Sequence, residues 1–202
     1  MLFRSLDEGV HTFALSNGAK LTVYASPYQP EFCRWAFAYP RSEDRYNLPP
    51  PGSNAAPPKN PVPDHGIDIM LTHGPPKGIL DLVGGGEEVG CAHLLRAADR
   101  ARPQLYAFGH IHEGWGATRG TWGTSPGGGV ITKESIKPDP EDMLENRGAF
   151  YDMSSESDRP WKRGAETLFV NASICTLSYE PKNAPWVVDL DLESQSETGF
   201  SS

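Results

Sequence analysis

Two apolar runs that each end in histidine constrain the fold of this chain more than any other feature. Residues 67–71 lead into His73 within Thr-His-Gly-Pro-Pro, and a later run leads into His110 and His112 within Gly-His-Ile-His-Glu-Gly. Between them, apolar residues recur at positions i, i+3, i+4 and i+7 over 88–101, which predicts an amphipathic helix. This order of strand, loop, helix and strand predicts two parallel neighbouring strands in an α/β fold.

The histidines that follow these strands predict a metal site. The carboxyl ends of parallel strands meet at one edge of a sheet, so His73 is expected to lie beside His110 and His112. If the strand predicted over 104–109 continues through the motif, His110 and His112 also share a face, because alternate strand residues do. Neutral imidazole is a common ligand of transition metals. The alternative is that each histidine is an ordinary hydrogen-bonded residue.

The same motifs resemble those of the calcineurin-like metallophosphoesterases. Thr-His-Gly-Pro-Pro followed by Gly-His-Ile-His-Glu-Gly is similar to the last two metal motifs of that superfamily, in the branch of metallophosphoesterase-domain-containing proteins. Residues 10–37 and 167–191 resemble the same branch, so the resemblance covers a little over half of the chain. It implies a four-layer αββα sandwich, in which two mixed sheets lie face to face with helices outside.

The resemblance also implies a function, that of a metal-dependent phosphoester hydrolase of the phosphodiesterase type. Its dinuclear centre holds two divalent cations, such as Mn, Fe or Zn, which polarise the phosphoryl oxygens and activate water. By motif, His73 and His110 are the implied ligands of one cation and His112 is a ligand of the other. The implied substrate is a small phosphoester, such as a cyclic nucleotide. Asn171 and Asp81 are candidates for supporting positions near these ligands, against ordinary strand and cap roles.

The chain departs from the family pattern upstream of residue 67. The three motifs that precede the histidines in the family (Asp-x-His, Gly-Asp with a further Asp, and Gly-Asn-His) do not occur there. We therefore expect residues 1–191 to form the C-terminal portion of the domain, lacking the N-terminal βαβ half, with a disordered tail over 192–202. An incomplete site predicts weak binding of one metal, and an exposed edge at strand 67–71 or its neighbour predicts association of chains.

Two other functions remain open beside the hydrolase. One is a catalytically inactive truncated remnant or binding module of the same fold. The other is a mononuclear metal protein, because three histidines and a water form a known zinc arrangement. The residues that would act directly in catalysis are unknown from the sequence.

Composition limits the partners and the location. The net charge of −8 and the lack of a basic stripe argue against nucleic acid as a bulk partner. The chain has no signal-peptide pattern and no apolar run of membrane-spanning length, so no membrane association is expected. Three scattered cysteines, Cys33, Cys91 and Cys175, are expected to be buried thiols of an intracellular protein. A cytoplasmic location follows, with the nucleus also compatible.

The remaining segments predict a hairpin, two insertions and the last strands. Asn17-Gly18 between two β-rich runs is a strong hairpin signal. Residues 40–64 are rich in Pro, Asn and Ser, and are expected to be a flexible insertion that cannot pack a core. Residues 117–165 are polar, and are expected to be a flexible, partly disordered insertion with no chemistry of its own. Phe32, Trp35, Phe37 and Tyr39 are expected to pack under the sheet edge, with base stacking as the alternative. The last strands are expected over 167–172, 174–179 and 186–190.

Overall fold

The computed structural model describes residues 5–125 and 127–193. A short 3₁₀ turn over His112–Gly114 follows the sixth strand. In chain order, the strands and α-helices are β1 (Gly9–Ala14), β2 (Lys20–Ser26), β3 (Gln29–Pro30), β4 (Ala38–Tyr39), β5 (Ile69–Thr72), α1 (Ala92–Ala101), β6 (Leu105–Phe108), β7 (Gly116–Trp122), β8 (Val130–Ile136), α2 (Pro140–Asn146), β9 (Ala149–Asp152), β10 (Glu166–Asn171) and β11 (Trp186–Asp189).

A seven-stranded mixed sheet, in the order β1-β2-β5-β6-β10-β7-β8, organises the fold. β5 pairs in parallel with both β2 and β6, and β10 pairs in parallel with β6 and antiparallel with β7. The predicted α/β class and the predicted parallel pair of histidine-bearing strands are therefore confirmed. The predicted hairpin is confirmed as well, because β1 and β2 are antiparallel around a turn in which Gly18 adopts a φ of +83°.

Helix α1 joins β5 to β6 and packs on the sheet through the predicted stripe. Leu94 and Ala98 of this stripe are buried in the main core, and Ala97 is buried beside them. The helix begins later than residue 88, because the preceding residues form extended bridges that pair Leu82 with Glu88 and Pro76 with Cys91. It ends at Ala101 and is followed by the capping residue Arg102, whose guanidinium donates to the carbonyls of Gly123 and Gly164 at 2.7 and 2.8 Å.

The two faces of the large sheet bury different sets of side chains, because alternate strand residues point to opposite faces. On the α1 side, Tyr106 and Phe169 join the main core. On the other side, Leu168 and Val170 pack against residues of the two-stranded parallel sheet formed by β9 and β11. Helix, large sheet and small sheet thus stack as three layers. The complete four-layer sandwich stays a prediction.

The expectation that strand 67–71 or its neighbour lies at an open edge is wrong. β5 lies inside the sheet between β2 and β6, and β2 is covered in turn by β1. The N-terminal hairpin supplies this cover, because β2 continues the sheet in parallel with β5. The edge strands are instead β1 and β8.

The two segments expected to be flexible insertions both contribute to the packed structure. Residues 117–165 contain most of β7 and all of β8, α2 and β9. Within this segment, Arg119 of β7 forms a buried ion pair at 2.6 Å with Glu166 of β10. Within 40–64, irregular backbone places fully buried side chains of Tyr46 and Val62 in the main core. The expectation that residues 40–64 cannot pack a core is therefore wrong, and residues 117–165 contribute regular elements to the structure.

Three smaller expectations have mixed outcomes. Residues 174–179 form turns rather than a strand, because their main-chain hydrogen bonds close a compact loop, as in Tyr179 to Thr176. Cys91 is buried, but Cys33 is exposed in the loop between β3 and β4 and Cys175 is half-buried.

The expected tail lies outside the described residues from position 194 onward. Neither α-helix found in 5–125 and 127–193 has the length and apolar character that crossing a bilayer requires.

Candidate functional site

The ends of β5 and β6 bring two histidines into direct contact. The Nε2 of His73 lies 3.1 Å from the Nδ1 of His110, and the ring centroids are 4.7 Å apart. The backbone N–H of Gly109 donates to the carbonyl of His73 at 3.0 Å, so a main-chain hydrogen bond links the residues that follow β5 and β6. The predicted convergence of His73 and His110 is therefore observed.

The backbone of the second motif differs from the extended strand that the sequence suggested. β6 ends at Phe108, His110 adopts a left-handed conformation with a φ of +71°, and His112 begins the 3₁₀ turn. The shared face of His110 and His112 therefore cannot come from strand alternation. Both nevertheless line one cleft with His73.

A distant loop fixes the orientation of His112. The Nδ1 of His112 lies 2.9 Å from the carbonyl oxygen of Thr176. Because a carbonyl can only accept, Nδ1 carries the proton, and the neutral ring keeps its lone pair on Nε2, the nitrogen that remains for ligation. The ring of Tyr179 stands edge-on to His112 with centroids 5.4 Å apart.

Burial keeps the histidine pair neutral. Removal from water lowers the pKa of His73 below its ordinary value. The pKa of His110 falls to about 4, first because of burial and then because of the positive charge that His73 and His112 would carry. Both rings are therefore neutral near pH 7, which is the state that ligates metals.

The three histidines open onto a cleft of about 620 Å³. Aromatic side chains from two loops form its rim: Trp35 stands edge-on to His110 at 5.6 Å between centroids, and Tyr179 flanks His112. Of the four aromatic residues expected to pack under the sheet edge, Tyr39 is buried in the main core. The expectation is wrong for Phe32, Trp35 and Phe37, which are all about half exposed. They occupy the outer side of the loop between β3 and β4, beside the cleft rather than beneath the sheet.

Comparison with known proteins identifies relatives of the chain that forms this histidine cleft. The chain is 33% identical over 173 residues, 83% of its length, to metallophosphoesterase domain-containing protein 1 of Homo sapiens. The chain is homologous to the metallophosphoesterase-domain-containing proteins. The recognition of this branch from the two histidine motifs is thereby confirmed. The matched region spans 35% of the length of the human protein.

Other relatives cover shorter parts of the chain. A UPF0046 protein of Caenorhabditis elegans is 39% identical over 102 residues, which are 48% of this chain and 22% of that protein. A protein of Emericella nidulans named probable rhamnogalacturonate lyase C is 36% identical over 110 residues, 54% of this chain but 9% of the fungal protein. No protein-family model matches the chain.

The histidine pair fits one metal of a metallophosphoesterase-type site, but the full ligand set is not assembled. Two nitrogens bound to one cation at about 2.0–2.1 Å lie roughly 3 Å apart, close to the separation of His73 and His110. Within residues 5–125 and 127–193, no three His, Cys, Asp or Glu side chains come together as a group able to hold a metal ion. The ligand roles of His73, His110 and His112 thus remain predictions.

The two candidates for supporting positions, Asp81 and Asn171, bind backbone groups of loops next to the histidines. Asp81 is buried, and its Oδ2 accepts from the backbone N–H groups of Gly78 and Gly90 at 2.8 Å each, so it braces the loop after His73. Asn171 is fully buried and binds main-chain groups of three segments. Neither lines the cleft.

Sequence reasoning missed Thr176 and Tyr179, which contact His112 from a loop with no motif signal. The other three histidines do not line this cleft. His11 contacts the carbonyl of Asp7, His65 is exposed, and His93 faces Asp44 on the far side of α1.

Proposed function

We propose that this chain carries part of the metal site of a metal-dependent phosphoester hydrolase of the phosphodiesterase type. His73 and His110 would ligate one divalent cation (Mn, Fe or Zn) and His112 a second. The proposal is supported chiefly by the neutral pair of imidazoles, 3.1 Å apart at the base of an open cleft. Bound divalent cations would polarise phosphoryl oxygens and lower the pKa of a bound water.

The described residues supply imidazoles but no assembled third ligand, so the 202-residue chain should bind one cation weakly and hydrolyse little. The same observation favours the alternative, in which the chain is a catalytically inactive remnant or binding module. It disfavours a mononuclear site of three histidines.

A calorimetric Mn²⁺ titration near pH 7.5 tests the site. We expect one weak site that His110→Asn abolishes, because asparagine tolerates the left-handed backbone but lacks the imidazole. The matched control is His65→Ala, an exposed histidine outside the cleft, which should bind as the parent does. Mn²⁺ binding that survives in His110→Asn would contradict the assignment of His110 as a metal ligand.

Turnover of bis(p-nitrophenyl) phosphate and of a cyclic nucleotide separates the two functions. Metal-dependent hydrolysis that disappears in His110→Asn supports the hydrolase. Metal binding without turnover above the uncatalysed rate supports the inactive binding module.

We further propose that the partner is a small phosphoester and that the chain binds neither membranes nor bulk nucleic acid. We also propose a cytoplasmic location, and a nuclear location is compatible as well. The net charge of −8 supports the exclusion of polyanions. Association through a free sheet edge would use β1 or β8. Light scattering over a concentration series tests association, and cell fractionation tests the compartment.

A further inference from the structure

One buried amide connects the three segments that carry the histidine site. The side-chain nitrogen of Asn171, at the end of β10, donates to the carbonyl of Ile111 at 2.8 Å and to that of Leu80 at 3.2 Å. Its side-chain oxygen accepts from the backbone N–H of Ser173 at 3.1 Å. Asn171 is fully buried, so water does not substitute for these contacts.

Each partner of Asn171 belongs to a segment that positions a histidine. Leu80 lies in the loop that leaves His73. Ile111 lies between His110 and His112. Ser173 begins the loop whose Thr176 carbonyl accepts from His112.

The junction around this amide is tightly packed. A Cβ at Gly114, the last residue of the 3₁₀ turn, would lie 2.8 Å from the Asn171 nitrogen and would collide with the Leu80 carbonyl oxygen. Leu80 itself has a φ of +50°, an uncommon conformation for a residue with a side chain. Neither the turn nor the loop can therefore shift without breaking these hydrogen bonds.

We propose that Asn171 is a positioning residue that sets the separation of His73 from the His110–His112 turn. Only an amide fits the junction, because it supplies two N–H donors to two carbonyls and one acceptor to an N–H. A carboxylate of the same shape would place an acceptor against both carbonyls. The consequence for metal binding rests on the proposed function, whereas the positioning of the rings is a property of the metal-free protein.

The first test is the Asn171→Asp variant, studied without metal by ¹H–¹⁵N NMR of the histidine rings. The matched control is Asn47→Asp, another buried asparagine whose side chain donates to the carbonyl of His93 at 2.9 Å. We expect the His73, His110 and His112 ring signals to move in Asn171→Asp and to stay in place in Asn47→Asp. Unchanged ring signals in a folded Asn171→Asp protein would overturn the proposal.

The second test is a Co²⁺ titration followed by visible absorption. We expect Asn171→Asp to bind roughly 10–100-fold more weakly than the parent, which is the usual effect of losing a group that orients metal ligands. Asn47→Asp should bind as the parent does, even if it is less stable. Equal Co²⁺ affinity in both variants and the parent would overturn the positioning role.

The NMR ring signals and the Co²⁺ titration also distinguish a failure of the proposed metal site from a failure of the proposed role of Asn171. If the parent binds no Co²⁺, the proposed function fails, while the ring signals still decide the role of Asn171. If Asn171→Asp does not fold, Asn171→Ser keeps one donor and one acceptor at lower volume and is expected to give smaller changes in the same direction. Ring signals identical to those of the parent in Asn171→Ser would then contradict the proposal.

Discussion

The Nε2 of His73 lies 3.1 Å from the Nδ1 of His110, at the ends of adjacent parallel strands. In the metal-free protein, one neutral ring donates to the other across this distance. A cation bound to both nitrogens would take the place of the shared proton. The 3.1 Å separation is compatible with the proposed ligand roles of His73 and His110.

The pH dependence of metal binding follows from the lowered pKa values of this pair. Protons compete with a cation only when the pH approaches the pKa of the ligand, and burial holds the pKa of His110 at about 4 and that of His73 below its ordinary value. We expect Zn²⁺ affinity to change little between pH 7.5 and 6.5 and to fall as the pH drops further. A steep loss between pH 7.5 and 6.5 in a calorimetric series would contradict this.

The stability of the metal-free protein should fall on acidification through the His110 ring. The folded pKa of about 4 lies below that of an unfolded histidine, so the unfolded state binds more protons between about pH 4 and 6.5 and stability decreases as the pH falls. After discounting for partial exposure, we expect roughly 1–2 kcal/mol. Urea unfolding at pH 6.5 and 4.5 should show a larger loss for the parent than for His110→Asn. Equal losses would show that His110 is not the source.

The buried ion pair between Arg119 and Glu166 should hold the second half of the chain together. Arg119 also donates to the carbonyls of Arg159 and Pro160 at 2.7 and 2.6 Å, so removing Glu166 leaves a buried charge half-paired. We expect Glu166→Gln to cost about 3–5 kcal/mol of unfolding free energy. The exposed pair of Arg159 with Glu134 provides the control, and Glu134→Gln should unfold like the parent. Similar urea midpoints for both variants would refute the difference.

Gly114 should not tolerate a side chain. An added Cβ would collide with the Leu80 carbonyl, whereas nothing lies within 4 Å of a Cβ built on Gly84. We expect Gly114→Ala to lose about 1–3 kcal/mol, as overpacked sites do, and Gly84→Ala to stay near the parent. Thermal unfolding of the two variants measures the contrast, and equal midpoints would mean that the junction is looser than described.

Local patterns in the sequence were enough to predict the hairpin, the parallel strands and α1. Hairpin chemistry at Asn17-Gly18 and the apolar period of α1 act over a few residues, so they can be recognised without tertiary information. The histidine motifs, together with residues 10–37 and 167–191, predicted the family. The place of the motifs after two strands predicted that His73 and His110 would lie side by side.

Only the tertiary structure decided the features that depend on distant partners. The polar strand β7 pairs with β10, and β8 pairs in turn with β7, so both strands depend on a distant part of the chain. Arg119 is buried because Glu166 neutralises its charge. The orientation of His112 depends on Thr176, and the junction beneath the site depends on Asn171. These contacts join residues that are far apart in the chain, and no period or spacing in the sequence records which of them pair. The sequence therefore determined which groups the site contains, and folding determined how they are held.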